Sequence, residues 1–350
     1  MRVAILNAGS SSLKYKLFLM PSAEVLESKI VEHIGESDSC ISNHHEALES
    51  LGIDFSTLDA IGHRVVHGGE NFKSSVLIDE VVSEAIEKLI PLAPLHNPAN
   101  LEGIKVAQSF APNIPQVAVF DTAFHSTMPK EAYLYALPHK IYDEYKVRRY
   151  GFHGTSHSYV AKKAAALLGR ELEELNLITL HLGNGASACA IEKGKSIDTS
   201  MGFTPLEGLI MGSRCGDIDP AIVLYLQREV GLNVNEVDKL LNKESGLLGL
   251  CGENDVRSIV EHDYEPARLA VAMMVRRIKK YIGAYMALLG RVDGVVFTGG
   301  IGENSQFIRE KVMESSLFNS LKVLVIETDE ELEIANEVVK VVNKKFYQNI

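Results

Sequence analysis

The sequence predicts an α/β protein made of two related lobes with a cleft between them, and three observations carry that prediction. A strand that runs straight into small, flexible residues occurs three times, in "RVAILNAGSSS" (2 to 12), "LITLHLGNGAS" (177 to 187) and "RVDGVVFTGGIGENS" (291 to 305). Amphipathic helical stretches lie between these strands, the alternation expected of sheets covered by helices. The 350 residues suffice for two domains at roughly 100 to 200 residues each. The division is set at 1–150 and 151–350, with the C-terminal helix expected to pack back onto the first lobe.

Taken in order, "RVAIL" is a strand that turns at Gly/Ser and returns through Leu13, Tyr15, Leu17 and Leu19, alternating with Lys14, Lys16 and Phe18, the period-2 pattern of a hairpin. "ESDSCISNHHEALES" (36 to 50) reads as a polar surface connection. Helices follow at about 80 to 90, at "NPANLEGIKVAQSF" (97 to 110) and at "TSHSYVAKKAAALLG" (155 to 169), the last with a Thr or Ser cap and a glycine stop. "NLITLHL", the turn "GNGA" and "SACAIE" repeat the strand–turn–strand pattern of the first segment and close at "KGK". A long apolar-striped helix is expected over 265 to 290, ahead of the third strand-to-glycine event.

Several function classes fall away on composition. With 46% hydrophobic and 23% charged residues and a net charge of −11, the chain is not built to bind nucleic acid through its phosphate backbone. Asn7, Gly9 and three serines interrupt the first apolar stretch before a signal-peptide core could form, and no run approaches ~20 apolar residues, so no membrane span is expected. Cys40, Cys189, Cys215 and Cys251 show no CxxC spacing, which predicts reduced thiols and a cytoplasmic setting.

The glycine motifs do not meet the mechanics of the familiar phosphate-binding loops. "GKS" (194 to 196) lacks the earlier glycine of a P-loop, where Cys189 stands instead. "GNGASA" (183 to 188) fits GxGxxA, yet the chain returns as a strand rather than opening a helix, and position 203 is Phe where an acidic ribose ligand would fall. What remains is a hairpin tip whose backbone N–H groups form an anion nest. Histidines are concentrated in compact phrases with Gly, Arg and Asp, namely "GHRVVHGGE", "APLHNPAN", "VAVFDTAFHSTMP" and "YGFHGTSH". No HxxxH or HxH pair recurs with carboxylates at zinc spacing, and no GxSxG elbow occurs.

At these phrases the sequence resembles the acetate kinase family. "NAGSSSLKYKLF", "GHRVVHGGE", "APLHNPANLEGI", "FDTAFH", "YGFHGTSH", "HLGNGAS", "DTSMGFTPLEGLIMGSRCGDIDP" and "FTGGIGEN" follow one another in that family's order, from residue 1 to about 335. The resemblance implies the duplicated actin, Hsp70 and sugar-kinase fold, each lobe a mixed five-stranded sheet with helices, and a homodimer. It implies reversible phosphoryl transfer from ATP to acetate, giving acetyl phosphate, with Mg²⁺ as the metal and Mn²⁺ as an alternative ion. Two other readings stay open: a kinase of propionate or another short-chain carboxylate, and a non-catalytic nucleotide-gated binding protein on the same scaffold.

Residue roles follow from the same resemblance. Arg64 and Arg214 fall at the transferred phosphoryl group and the acetate carboxylate, where a planar, permanently charged fork suits either group. His153 matches the histidine that stabilises the transition state, His96 and His181 match supporting histidines, and Asp121 matches a carboxylate with a general acid/base or orienting role, of which orienting is expected because acetate is already a competent nucleophile. Val66, Leu95, Phe152 and Pro205 match the pocket for the acetate methyl group. Lys14 and the loop His181, Leu182, Gly183, Asn184 and Gly185 match contacts to the ATP phosphates. Asp255, Val256 and Arg257, with Gly300, Ile301, Gly302, Glu303 and Asn304, match the adenosine site. Asn7 and Glu330 match the metal positions. The chain is shorter than expected for the family, mainly between the first hairpin and "GHRVVHGGE".

Overall fold

A computed structural model describes residues 1–36 and 39–348. The chain forms two compact units, one of Met1–Ser126 with Gly154–Ser156 and the residues from Asp329 on, the other of Thr127–His153 and His157–Thr328. The segment 127–150 thus groups with the second unit, where a single cut at 150 was expected, and the C-terminal helix groups with the first.

The first unit holds a sheet of β1 (Arg2–Ala8), β2 (Ser12–Leu19), β3 (Glu24–Glu32), β4 (Ala60–Val65), β5 (Val76–Leu77) and β6 (Gln116–Phe120), in the order β3-β2-β1-β4-β6-β5. The first three strands pair antiparallel, while β1, β4 and β6 run parallel. Both faces are covered. Leu6, Leu13, Tyr15 and Leu17 pack with Ala47, Leu48 and Leu51 on one side, and Val3, Ile5 and Phe18 pack with Ile334, Ala335, Val338 and Val342 of the helix Glu330–Gln348 on the other. That helix can lie close because position 62 in β4 has no side chain: a Cβ there would sit 2.7 Å from Val338 Cγ2 and 2.9 Å from Ile334 Cγ2.

The second unit holds β7 (Asn176–Leu182), β8 (Ala186–Glu192), β9 (Lys195–Thr199), β10 (Gly294–Thr298) and β11 (Val323–Val325), in the order β11-β10-β7-β8-β9. Again three strands pair antiparallel and β7, β10 and β11 run parallel. Strand for strand this repeats the order β3-β2-β1-β4-β6, so the duplication suggested by the two hairpins extends through five strands. The first sheet has a sixth, the two-residue β5 pairing antiparallel with β6, a departure from the five strands expected. The helix Glu265–Leu289 buries Ala270, Met274, Ile278 and Ile282 at the i, i+4 spacing of one helical face.

Two expectations are corrected. The stretch 36 to 50 is not simply a surface connection: His44–Ser50 is a helix, capped by the Asn43 side chain accepting from Glu46 N, and Ala47 and Leu48 are in the core. Ser37 and Asp38 lie outside the described residues. The helix over Gly154–Leu168 does stop at a left-handed Gly169, but it is not capped by Thr or Ser. Its N-cap is His153, at φ 55, with no side-chain cap hydrogen bond, because Thr155 instead donates its hydroxyl to Asp121 Oδ1 at 3.1 Å.

One core group couples fold to pH. His63 is buried on β4 with Nε2 2.8 Å from Gln116 Oε1, and burial pushes its pKa down to about 4, the hydrogen bond to Gln116 opposing this in part. The unfolded chain binds a proton near pH 6.5 that the native state refuses until about pH 4, so stability falls as pH drops through that window. A shift of that size corresponds to about 3 kcal/mol. Denaturant unfolding at pH 7 and pH 4.5 should show the decline, and His63→Leu, though less stable at pH 7, should show a shallower one. An unchanged slope would remove His63 as the source.

Candidate active site

Site residues of the first unit gather at the C-terminal ends of its parallel strands, where open α/β sheets place their ligands. Arg64 on β4 donates Nε to Asp121 Oδ1 and Oδ2 at 3.1 Å each and Nη2 to Oδ2 at 2.6 Å. Asp121, just past β6, is 1% exposed and also accepts from Thr155. Glu330, at the start of the C-terminal helix, brings Oε2 to 3.6 Å from Arg64 Nε. Burial holds the Glu330 carboxyl above the usual range; Arg64 and Lys14 oppose this, and Asp121 and Glu331 add to it. Lys14 is the register partner of Asn7 across the first hairpin, so Asn7, Lys14 and Glu330 share one electrostatic neighbourhood.

The loop after β4 is held by the helix Asn97–Phe110. Asn97 Oδ1 accepts from His67 N and its Nδ2 donates to His67 O, while Asn100 Oδ1 accepts from Val66 N and its Nδ2 donates to Ala8 O, at the end of β1. These two buried asparagines were missed in the sequence. Their signal was the i, i+3 spacing in "NPAN", which puts both amides on one face of the first turn. Val66 is held there, His96 is the N-cap residue of that helix, and Leu95 before it is 51% exposed.

In the second unit, His153, His181, Gly185 and Arg214 converge. The His153 and His181 rings stack with centroids 4.3 Å apart. A Cβ built on Gly185 would lie 3.3 Å from His153 Nε2 and 3.5 Å from Arg214 Nη1. His153 Nδ1 is hydrogen-bonded to Ser187 Oγ at 2.9 Å, and that hydroxyl also meets His157 Nε2 at 2.8 Å, whose Nδ1 reaches Thr179 Oγ1 at 2.7 Å. The chain of contacts fixes the His153 ring with Nε2 directed at Gly185. Arg214 donates Nη1 to Pro205 O at 3.1 Å. Among the described residues no carboxylate pairs with it, and burial alone lowers its pKa. A partly buried guanidinium without such a partner can accept an anion, and arginine remains charged at pH 7 regardless.

A cavity of about 680 Å³ in this unit is lined by Gly183, Asn184, Asn254, Asp255, Val256, Arg257, Gly300, Ile301, Asn304 and Ser305. It unites the hairpin tip with both segments expected to hold adenosine and adds Asn254 and Ser305, neighbours of residues singled out in the sequence. Asp255 caps the helix Val256–Glu261 and grips Arg257 through Nε and Nη2 at 3.0 and 2.7 Å. Leu182 and Gly302 are buried rather than lining the cavity. Glu303 turns inward: its Oε1 accepts from Gly299 N, Thr298 Oγ1 and Thr328 N, tying the end of β10 to the chain beyond β11. Of the expected methyl pocket, Val66 and Leu95 belong to the first unit, Phe152 and Pro205 to the second; Phe152 is 2% exposed.

The sequence profile of the acetokinase family matches residues 2–345. The chain belongs to the acetokinase family. Acetokinase relatives include the acetate kinase of Sulfurimonas denitrificans, 54% identical over 96% of this chain and 98% of its own, and that of Sulfurovum sp., 51% identical over 98% and 100%. The first of these alignments spans 382 positions against a chain of 350 residues, so the relative carries residues with no counterpart here. Among solved acetokinase-type structures, Porphyromonas gingivalis acetate kinase superposes with a TM-score of 0.91 at 41% identity, covering 97% of this chain and 99% of the other. A propionate kinase from Francisella tularensis gives 0.92 at 40% identity with the same coverage. A putative N-acetylmannosamine kinase from Listeria monocytogenes, at 12% identity and TM-score 0.51 over 97% and 99%, shares the fold. Acetokinase membership implies ATP as a substrate and a divalent metal ion. No helix among the described residues is long and apolar enough to cross a membrane.

Proposed function

We propose that this protein is an acetate kinase, a phosphotransferase that moves the γ-phosphoryl group of ATP onto the carboxylate of acetate and back. The observation that carries this reading is Arg214, a cation with no carboxylate partner among the described residues, whose Nη1 lies with His153 Nε2 within 3.5 Å of the Cβ position of Gly185 at the tip of the second hairpin. In the forward direction a carboxylate oxygen of acetate attacks the γ-phosphorus, the new O–P bond forms as the bond to ADP breaks, and acetyl phosphate leaves. Such a transfer needs positioning and neutralisation of charge on the equatorial oxygens more than proton chemistry. Arg214 and His153 supply donors to those oxygens, and the stacked His181 ring braces His153. The backbone N–H groups of Asn184 and Gly185 are the proposed donors to the ATP phosphates, that of Gly183 being taken by Gly185 O at 3.0 Å, and Lys14 is the proposed cation on the first hairpin.

Asp121 is an orienting carboxylate rather than a base. Both its oxygens are engaged by Arg64, Oδ1 also by Thr155, and acetate arrives already ionised. Held this way, Arg64 presents its remaining N–H groups to the acetate carboxylate. Val66 and Leu95 of the first unit and Phe152 and Pro205 of the second are the residues proposed for the methyl group, and His96 is proposed as a further substrate-binding residue.

Mg²⁺, or Mn²⁺ in its place, fits the residues present. A small hard cation keeps waters and phosphate oxygens and needs only one or two protein ligands. Glu330, whose carboxyl is disfavoured as an anion by burial and further by Asp121 and Glu331, gains from a cation, and Asn7 offers an amide oxygen. The ion would neutralise phosphate charge when bound. Glu330→Gln is expected to raise the Mg²⁺ concentration for half-maximal turnover at least ~10-fold, with KM for acetate changed little; an unchanged Mg²⁺ titration would remove Glu330 from the metal site.

The deciding assay is acetyl phosphate formation from acetate, ATP and Mg²⁺, trapped as the hydroxamate, with propionate and butyrate in parallel. One methylene in an apolar pocket is worth only about 1 to 3 kcal/mol, so some turnover of propionate is expected. Preference for propionate would place the protein with carboxylate kinases of the kind in Francisella, and no turnover of any acid would overturn the reading. We also propose a homodimer, to be checked by light scattering in solution.

A further inference from the structure

The loop that carries Pro205 and Arg214 is staked down at a point the phosphoryl-transfer chemistry does not explain. Arg149 donates Nη1 to three successive carbonyls, those of Thr199, Ser200 and Met201, at 2.9, 3.2 and 3.1 Å, and Nη2 to Glu207 Oε1 at 2.5 Å. The other carboxylate oxygen, Oε2, accepts from the Tyr135 hydroxyl at 2.5 Å, and Tyr135 in turn accepts from Phe203 N at 3.0 Å. Tyr150 N and Gly151 N both donate to Gly202 O, at 3.0 and 3.2 Å. Three stretches of chain, around 135, 149 to 151 and 199 to 207, are therefore knotted at one carboxylate.

Ordinary packing does not require this arrangement. An ion pair with its partners 15% and 33% exposed gives up much of its hydration, and well-packed apolar side chains of similar volume often serve stability as well. What a fully hydrogen-bonded pair adds is a fixed geometry. Two positions beyond the knot on one side is His153. On the other side Pro205, two residues before Glu207, gives Arg214 the carbonyl that fixes its Nη1. Gly202 fits the same account, since a Cβ there would run into the Glu207 carboxylate and the Tyr135 hydroxyl.

We propose that Arg149, Glu207 and Tyr135 are positioning residues that set the guanidinium of Arg214 through the Pro205 carbonyl. None of the three touches the reacting atoms; they hold the loop in one conformation so that the Arg214 donors are in place before substrate arrives. The proposal rests on the reading of Arg214 as the anion-binding arginine, and the test separates the two.

Tyr135→Phe keeps the ring and removes both hydrogen bonds. Expected are a ~10-fold fall in kcat measured well below the melting temperature, and a KM for ATP within about two-fold, since none of the three residues lines the nucleotide cavity. A double-mutant cycle with Arg214→Ala is the decisive readout. If Tyr135 acts through Arg214, adding Tyr135→Phe to Arg214→Ala costs almost nothing further, whereas a merely structural role makes the two losses multiply. Glu207→Gln and Gly202→Ala, which loosen the knot differently, should show the same non-additivity and cover the case in which Tyr135→Phe folds poorly. Independent losses, or an unchanged kcat in properly folded Tyr135→Phe and Glu207→Gln, overturn the proposal and leave the function of Arg214 standing. Wild-type turnover in Arg214→Ala itself overturns both.

Discussion

Arg214→Ala is expected to lower turnover by about 10³-fold or more while the melting temperature changes little. The magnitude follows from the charge this side chain meets: an arginine placed on a transferring phosphoryl group contributes ~10³ to 10⁵ in rate. The small stability effect follows from its surroundings. Arg214 has no carboxylate partner among the described residues, and desolvation alone pulls its pKa down, so truncation removes a disfavoured cation rather than a compensated one. Arg64 is the opposite case. It is paired through two nitrogens with a buried Asp121, and removing it strands a buried carboxylate at a cost of roughly 3 to 5 kcal/mol. Comparable kinetic losses with very different melting temperatures would therefore mark Arg214 as the arginine held ready for an anion. Lysine at position 214 should recover only part of the activity, because an ammonium lacks the planar fork. Near-normal kcat in a folded Arg214→Ala protein would refute the assignment.

Gly300→Phe is expected to raise KM for ATP by about 100-fold, equivalent to losing about 3 kcal/mol of nucleotide binding. Position 300 lines the 680 Å³ cavity, and a Cβ built there finds no heavy atom within 4 Å. Its backbone is not among the positive-φ glycines, so a side chain costs the fold little and has only open space to enter. Alanine should be tolerated and phenylalanine should exclude the adenosine, giving a loss graded by side-chain volume. Calorimetry with ADP reads this directly, with circular dichroism as the check on folding. Full ADP affinity in Gly300→Phe would move the nucleotide out of this cavity and with it the roles assigned to Asp255 and Ile301.

Much of the molecule was legible in the sequence because the relevant signals are local. The two hairpins, the helix from 97 to 110, the long helix ending near 289 and the strand running into "FTGGIGEN" all rest on periodicity and turn residues within about twenty positions of one another. Local patterns also failed locally. The helix His44–Ser50 was hidden because seven residues carry too little periodicity to stand out in a polar stretch. The cap at His153 was misassigned because Thr155, the expected local partner, is drawn off by Asp121 across 34 residues of chain.

By itself the sequence singled out the residues proposed to carry the chemistry: the two arginines, the histidine phrases and the glycine-tipped hairpins stand out by type and by their order along the chain. Only the tertiary structure decided how each behaves, since that depends on partners remote in sequence. Arg64 and Arg214 are indistinguishable as letters, yet one is paired with Asp121 and Glu330 and the other has no carboxylate partner among the described residues. Glu303 reads as a site residue but turns inward to three donors. Glu207 and Tyr135 read as nothing in particular until the fold brings them, 72 positions apart, into one hydrogen bond. Charge state, orientation and restraint come from the field and hydrogen bonds of neighbours, and those neighbours are chosen by the fold.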